Sequence, residues 1–274
     1  MTLPQRPLGR TGVSVTLLGL GGEGILRTYG QEHQAQAVIH AALDAGINYF
    51  ESARAYSGSE AYLGRGLKGH RDKIFLTSKS HGRTRAEAEA HLHTTLTNLG
   101  TDYLDLWQVH DVRTHEDLEA LAAPGGALEV FHKAKKEGKV RFIGVTGHHD
   151  PQVLRQALTL DDFDTVLLPV NPAEPHYRSF LSLAAEAGEQ GLGVVGMKVL
   201  CRGMLPQLKV PVKALVAYAL SQPVSLVVIG ADSVPQAVEL AAAARDFQPM
   251  PPEAQSHLEK AVASFARGLM YYKP

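Results

Sequence analysis

Four side chains in the first half of the chain, Glu51, Tyr56, Lys79 and His110, each sit just past a short apolar run. Runs of this kind read as strands, so the four place a carboxylate, a phenol, an amine and an imidazole at successive strand ends. Such groups suit donation of a proton to a carbonyl oxygen as hydride arrives at carbon. An isolated tyrosine has a pKa of about 10 and is a poor acid at neutral pH. A nearby ammonium lowers it, so Lys79 is the expected partner of Tyr56, and Glu51 the carboxylate that holds Lys79 by an ion pair. A neutral His110 would hydrogen-bond a substrate carbonyl and polarise it. Taken alone, any one of these residues reads more readily as a satisfied polar group at a strand end. Four compatible groups at neighbouring ends favour the chemical reading.

The elements that must position them alternate. A strand-like run followed by a helix-like run repeats about eight times, with Gly or Pro in most joints. After a hairpin around Leu8 to Val13, strands are expected at 16–20, 48–50, 74–78, 104–109, 142–145, 165–168, 193–197 and 226–229. Helices are expected near 33–45, 59–67, 85–99, 128–137, 151–157, 180–190, 213–221 and 234–244, then a last helix over 252–267 and a tail to Pro274. Eight such pairs predict a (β/α)8 TIM barrel with an N-terminal β-hairpin and a C-terminal extra helix and tail. No linker or composition shift divides it, so residues 1–274 read as one barrel domain. Barrel enzymes keep their chemistry at strand C-termini, where these four residues fall.

The chain has 274 residues, is 45% hydrophobic and carries a formal net charge of −1. That length supports a large core without disulfides or structural metal. A near-neutral balance gives no field to draw in nucleic acid or an anionic membrane, and a small-molecule substrate fits it better. One cysteine, Cys201, excludes intramolecular disulfides and, with no secretory leader or long apolar run, points to a cytoplasmic protein. The oligomeric state is not written in the sequence.

Other motifs have plainer readings. Gly19-Leu20-Gly21-Gly22-Glu23-Gly24 matches the dinucleotide fingerprint G-x-G-x-x-G, yet the next helix waits until about His33. The fingerprint must open a helix directly, so an open Rossmann sheet is disfavoured and a flexible loop passing close to a ligand is expected. His148-His149 lacks a completing ligand set, and no metal is expected. Asp150 is positioned to cap a helix that starts at Pro151. Cys201, near the same rim, reads as a packing residue more readily than as a reactive thiol. Tyr271 and Tyr272 in the tail are candidates to line the pocket.

With these residues assembled, the chain resembles the aldo/keto reductase family over essentially its whole length. The segments carrying the likeness are Arg6 to Val13 with Leu18 to Gly21, Gly46 to Tyr56 with Ser59-Glu60, Asp105 to His110, Val140 to Thr146, Lys198 to Gly203, and Val228 to Ala231 with Gln236 and Glu239. The resemblance implies a barrel that binds a nicotinamide dinucleotide across its C-terminal rim, with Tyr56 as the acid, Lys79 as its partner and His110 as the carbonyl orienter. It implies cofactor contacts from Gly21, Gly22, Met197, Lys198, Leu200, Gly203, Gly230, Asp232, Ser233, Gln236 and Glu239.

Several positions depart from the family's usual pattern. Glu51 stands where aspartate is usual, with one extra methylene, so its carboxylate either pairs Lys79 or reaches the cofactor ribose. Thr146 and Gly147 replace a common Ser-Asn pair and Leu167 a frequent glutamine, leaving Thr146 and Asn171 as the expected carboxamide contacts. Met197 takes the place of an aromatic ring over nicotinamide. Asp232-Ser233 lacks the cation that meets a 2′-phosphate and favours NAD(H), whereas the family preference favours NADP(H), which is placed slightly ahead. The expected activity is NAD(P)H-dependent reduction of an aldehyde or ketone. The competing expectation, motivated by Glu51, is a dinucleotide-binding redox sensor or regulatory subunit with little turnover.

Overall fold

The computed structural model describes residues 2–274. An antiparallel hairpin of β1 (Gln5–Pro7) and β2 (Ser14–Thr16) precedes eight barrel strands, β3 (Leu18–Gly24), β4 (Tyr49–Glu51), β5 (Phe75–Ser80), β6 (Leu104–Val109), β7 (Val140–Thr146), β8 (Thr165–Pro169), β9 (Gly193–Met197) and β10 (Leu226–Ala231). The eight are parallel neighbours in sequence order, and β10 pairs with both β9 and β3 to close the barrel. Around them run α1 (Glu32–Asp44), α2 (Ser59–Gly66), α3 (Arg85–Leu99), α4 (His115–Ala122), α5 (Ala127–Lys136), α6 (Pro151–Ala157), α7 (Leu181–Glu189), α8 (Met204–Gln207), α9 (Val212–Leu220), α10 (Val234–Arg245), α11 (Pro252–Val262) and α12 (Ala266–Leu269). No helix among the described residues is long and apolar enough to cross a membrane.

Strand parity divides the core in two. Tyr49, Phe75, Leu106, Leu167, Val195, Leu226 and Val228 pack together inside the barrel, and Leu8 and Val15 of the hairpin join them. Their sequence neighbours Phe50, Leu76, Trp107, Val166, Val194 and Val227 belong instead to the shell between strands and helices, where Trp107 stacks on Phe131 of α5 at 3.8 Å. Side chains alternate faces along a strand. Inward-facing Tyr49, Phe75 and Leu106 are therefore followed on the same face by Glu51, by Thr77 and Lys79, and by Gln108, with His110 one step beyond β6. An apolar floor and a polar rim follow from one parity.

The structure revises several expectations. Leu8 to Val13 forms the connection of the hairpin, and the paired strands flank it. The glycine-rich segment is not a flexible loop but the body of β3, hydrogen-bonded between β10 and β4. Its glycines are needed for close approach: a Cβ on Gly22 would lie 2.5 Å from Ser59 Oγ and 2.8 Å from Glu51 O. Helix α4 was not anticipated, although Thr114 and Asp117 supply a capping box at its start. The final helix is broken by a 3-10 turn, Ala263–Phe265, between α11 and α12. Asp150 caps α6 as expected, its side chain accepting from Gln152 N.

Candidate active site

Tyr56 lies in the turn between β4 and α2. Backbone hydrogen bonds from Tyr56 N to Ala53 O and from Ser59 N to Tyr56 O fold that turn, and Arg54 N to Lys79 O fixes it to β5. Glu60, one residue into α2, is buried and accepts from Ser78 and Thr95, while Arg54 pairs with it. The helix behind Tyr56 is thus locked to the strand that carries Lys79.

Lys79 is buried on the barrel axis side, its Nζ 2.7 Å from Glu51 Oε1 and donating to Ser52 O at 2.9 Å. The same Nζ stands 5.0 Å from the centre of the Tyr56 ring, and His110 meets that ring edge-on with centroids 5.6 Å apart. Glu51 Oε2 and His110 Nδ1 are buried without a protein partner. Burial and the Lys79 charge hold the His110 imidazole well below its ordinary value, so it is neutral at physiological pH. Tyr56 departs from the expected direction. Burial, then Glu23 and Glu51, push its phenol well above 10, with Arg27 opposing. The positive charge of Lys79 is matched by Glu51 at contact distance, which weakens the lowering it was expected to exert.

Beside Tyr56 and Glu51 opens a cavity of about 800 Å³. Of the expected cofactor residues, Gly21, Gly22, Met197, Lys198, Leu200, Gly203, Gly230, Asp232, Gln236 and Glu239 line it. Ser233 stands at the N-cap of α10, where its hydroxyl accepts from Gln236 N, and Gln236 Oε1 accepts from Asp232 N at 2.7 Å. Thr146 is buried with its hydroxyl accepting from Asp111 N at 2.8 Å. Asn171 is not on the cavity wall. It is fully buried, donating to Tyr272 Oη at 3.0 Å and to Lys198 O, and accepting from Ala173 N.

The wall after β9 is made by an unusual backbone. Lys198, Cys201 and Arg202 all adopt positive φ, at 60°, 46° and 54°, and Gly203 follows at 79°. A left-handed conformation costs a non-glycine residue about 1–2 kcal/mol. Cys201 N bonds back to Lys198 O, and the buried Cys201 side chain anchors the curl. Burial pushes the Cys201 thiol up to about 12, so it packs and does not react.

Sequence reasoning missed Glu23, Arg27 and Arg202 on the cavity wall. The parity of β3 carried a signal for Glu23, two residues beyond Gly21. No local pattern marked Arg27, and Arg202 lay within the Lys198 to Gly203 segment without being singled out. The tail also closes the rim differently from expectation. Tyr271 lies under Arg202, 4.6 Å from its ring centre, and Tyr272 packs on His148 while its hydroxyl donates to Glu174. Neither tyrosine lines the cavity. His148 pairs with Asp111 at 3.1 Å, and no group of three potential metal ligands occurs among the described residues.

Residues 17–211 match the family model described as the aldo/keto reductase family, which spans most of the chain and includes Glu51, Tyr56, Lys79 and His110. The chain belongs to the aldo/keto reductase family. It is accordingly an enzyme of the NAD(P)H-dependent oxidoreductase class that acts on small-molecule carbonyl compounds. Among its relatives, L-galactose dehydrogenase of Arabidopsis thaliana is 29% identical, over 89% of this chain and 88% of that protein. The holo form of aldo-keto reductase AKR11C1 from Bacillus halodurans superposes with a TM-score of 0.79 at 24% identity, covering 94% of this chain and 96% of that one. An aldo-keto reductase from Klebsiella pneumoniae in complex with NADPH gives 0.77 at 22% identity, covering 96% of each chain. At these identities the two structures establish the shared reductase fold.

Proposed function

We propose that the protein reduces the carbonyl group of a small molecule, with Tyr56 as the general acid. The observation that carries this reading is the Glu51–Lys79 ion pair beneath a Tyr56 ring that also meets a neutral His110, at the edge of a glycine-lined cavity. A phenol held well above 10 is fully protonated at pH 7 and so retains the proton it must give. A neutral His110 orients the carbonyl oxygen toward that phenol without competing for its proton. Lys79 supports the phenolate formed at the moment of transfer, and Glu51 keeps Lys79 in place.

The cavity fits a nicotinamide dinucleotide in its donor set. Lys198 and Arg202 offer cations for a pyrophosphate beside the side-chain-free wall of Gly21, Gly22 and Gly230, and Glu51 Oε2 is a buried acceptor without a protein partner, suited to a ribose hydroxyl. Asp232, Gln236 and Glu239 would meet the adenosine end. When bound, the cofactor supplies the hydride that reaches the carbonyl carbon. NADPH is placed ahead of NADH because solved relatives of the fold carry it, while Asp232 keeps NADH in contention.

Substitution Tyr56→Phe tests the reading. Turnover of every carbonyl substrate should collapse while NADPH still binds; an unchanged kcat overturns the acid role. The sensor alternative is weakened by the geometry at Glu51, since the extra methylene leaves the pair with Lys79 at 2.7 Å. Robust steady-state reduction removes it.

A further inference from the structure

The loop between β5 and α3 sends a guanidinium to the strand end that carries His110. Arg83 Nη2 donates to His110 O at 3.1 Å and to Asp111 O at 3.0 Å, and its Nε donates to Asp117 Oδ1 at 2.8 Å. Asp117 closes the capping box of α4, so the anion that anchors Arg83 is itself fixed. The Arg83 backbone is held from two further elements: its N–H donates to Glu87 Oε2 of α3, and its carbonyl accepts from Ala127 N at the start of α5. The side chain is 17% exposed, so the fork is mostly shielded from water.

The turn that receives it needs holding. Asp111 has a φ of 56°, a left-handed conformation that a residue with a Cβ adopts at a cost. His110 N donates to Ser80 O and Asp111 N to Thr146 Oγ1, which leaves the two carbonyls of the turn to Arg83. His110 Nδ1 is buried without a protein partner, so no hydrogen bond at that nitrogen sets the imidazole. Its direction toward the Tyr56 ring therefore depends on the backbone that carries it.

We propose that Arg83 is a positioning residue for carbonyl reduction, acting through His110 by fixing the His110–Asp111 turn. The proposal rests on the reading of His110 as the orienter of the carbonyl oxygen. Lys79 and His110 come from adjacent strands, and the bond from His110 N to Ser80 O is the backbone tie between their ends. Arg83, four residues beyond Lys79, adds the side-chain tie. A planar fork suits the task, since one Nη serves two carbonyls while Nε keeps the carboxylate; a lysine is a point donor and cannot reproduce this. Without the fork the turn relaxes and the imidazole moves relative to the Tyr56 phenol. A displacement of about 1 Å is enough to cost about 10²-fold in rate. Arg83 is not on the cavity wall, so its loss removes no cofactor contact.

The test follows single-turnover oxidation of NADPH by 4-nitrobenzaldehyde in Arg83→Ala, Arg83→Lys, His110→Ala and the double variant Arg83→Ala/His110→Ala. The rate at saturating aldehyde should fall by about 30-fold in Arg83→Ala and by about tenfold in Arg83→Lys, which keeps the charge without the fork. The Kd for NADPH should change by less than about twofold in both. In the His110→Ala background, Arg83→Ala should cost less than about threefold, because the residue through which it acts is gone. A wild-type rate in either Arg83 variant, an equal loss with and without His110, or a rise in the NADPH Kd as large as the loss of rate overturns the proposal. Should Arg83→Ala fail to fold, Arg83→Lys carries the same comparison with His110→Ala. A wild-type rate in His110→Ala overturns both the orienter reading and the role of Arg83. Tyr56→Phe separates the acid from the turn: a wild-type rate there overturns the acid role alone, whereas its collapse beside additive Arg83 and His110 effects keeps the acid and removes Arg83.

Discussion

Glu51 presents two oxygens with opposite fates: Oε1 lies 2.7 Å from Lys79 Nζ, and Oε2 is buried with no protein partner. One residue thus holds the lysine and leaves an acceptor facing the cavity. Of the two roles between which the sequence left a choice, the pair with Lys79 is formed, and the second oxygen remains available as an acceptor.

Removing either member of this pair strands a buried charge. Glu51→Gln should lower stability by about 3–5 kcal/mol, read as a shift in denaturant midpoint. Lys79→Met should lower kcat by about 10²-fold with little change in NADPH affinity. A wild-type kcat in Lys79→Met would show that the lysine only fills space.

Because the Tyr56 phenol is held well above 10, it stays protonated as pH rises through the physiological range. Reduction should show no alkaline decline from this group up to about pH 10, and Tyr56→Phe should cost about 10³-fold or more in kcat/KM. A decline centred near neutrality in the wild-type kcat profile would contradict this assignment.

His148 titrates near pH 4, chiefly through burial, with Asp111 pulling the other way. An unfolded histidine titrates near about 6.5, so between these values the unfolded chain binds a proton that the native chain does not. Stability from this group is therefore complete above about pH 6.5 and declines by up to about 3 kcal/mol as pH falls to about 4. His148→Gln should flatten that part of the profile, measured by urea unfolding at a series of pH values; an identical slope would remove His148 as its source.

Asp232 lines the cavity with a carboxylate, and under the proposed placement of the adenosine end it offers a 2′-phosphate no cation. Asp232→Arg should shift the ratio of dissociation constants toward NADPH over NADH by about tenfold, roughly 1.4 kcal/mol. Fluorescence titration with both cofactors reads this directly, and no shift would place the adenosine end elsewhere.

Lys273 near the C-terminus forms a buried ion pair with Glu174 at 2.7 Å and also donates to Tyr177 O and Arg178 O. Lys273→Ala should destabilise the protein by about 3–5 kcal/mol, far beyond the effect expected at a free chain end. A change in the denaturation midpoint within error would show that the tail is only loosely held.

The barrel was legible because strand parity and helical periodicity are local properties. The spacing of Tyr49 and Glu51, or of Phe75 and Lys79, already assigns both members of each pair to one face. The polar rim above an apolar floor followed from that alone. The glycine-rich run was misread as a loop because the pairing that makes it a strand comes from β10, some 200 residues away, and propensity cannot report a distant partner.

By itself the sequence determined the barrel, the strand ends that bear Glu51, Tyr56, Lys79 and His110, and the family to which they belong. Only the tertiary structure decided which groups face one another across the rim. Asn171 is occupied because Tyr272 arrives from 101 residues away, and Arg27 lies on Tyr56 because the β3–α1 connection folds over the β4–α2 turn. The direction of the Tyr56 shift was likewise hidden, since it depends first on burial and then on the charges of Glu23, Glu51 and Arg27 around the ring. Parity is fixed within a few residues of chain; contacts between loops and electrostatic balance arise only once the barrel has closed and excluded water.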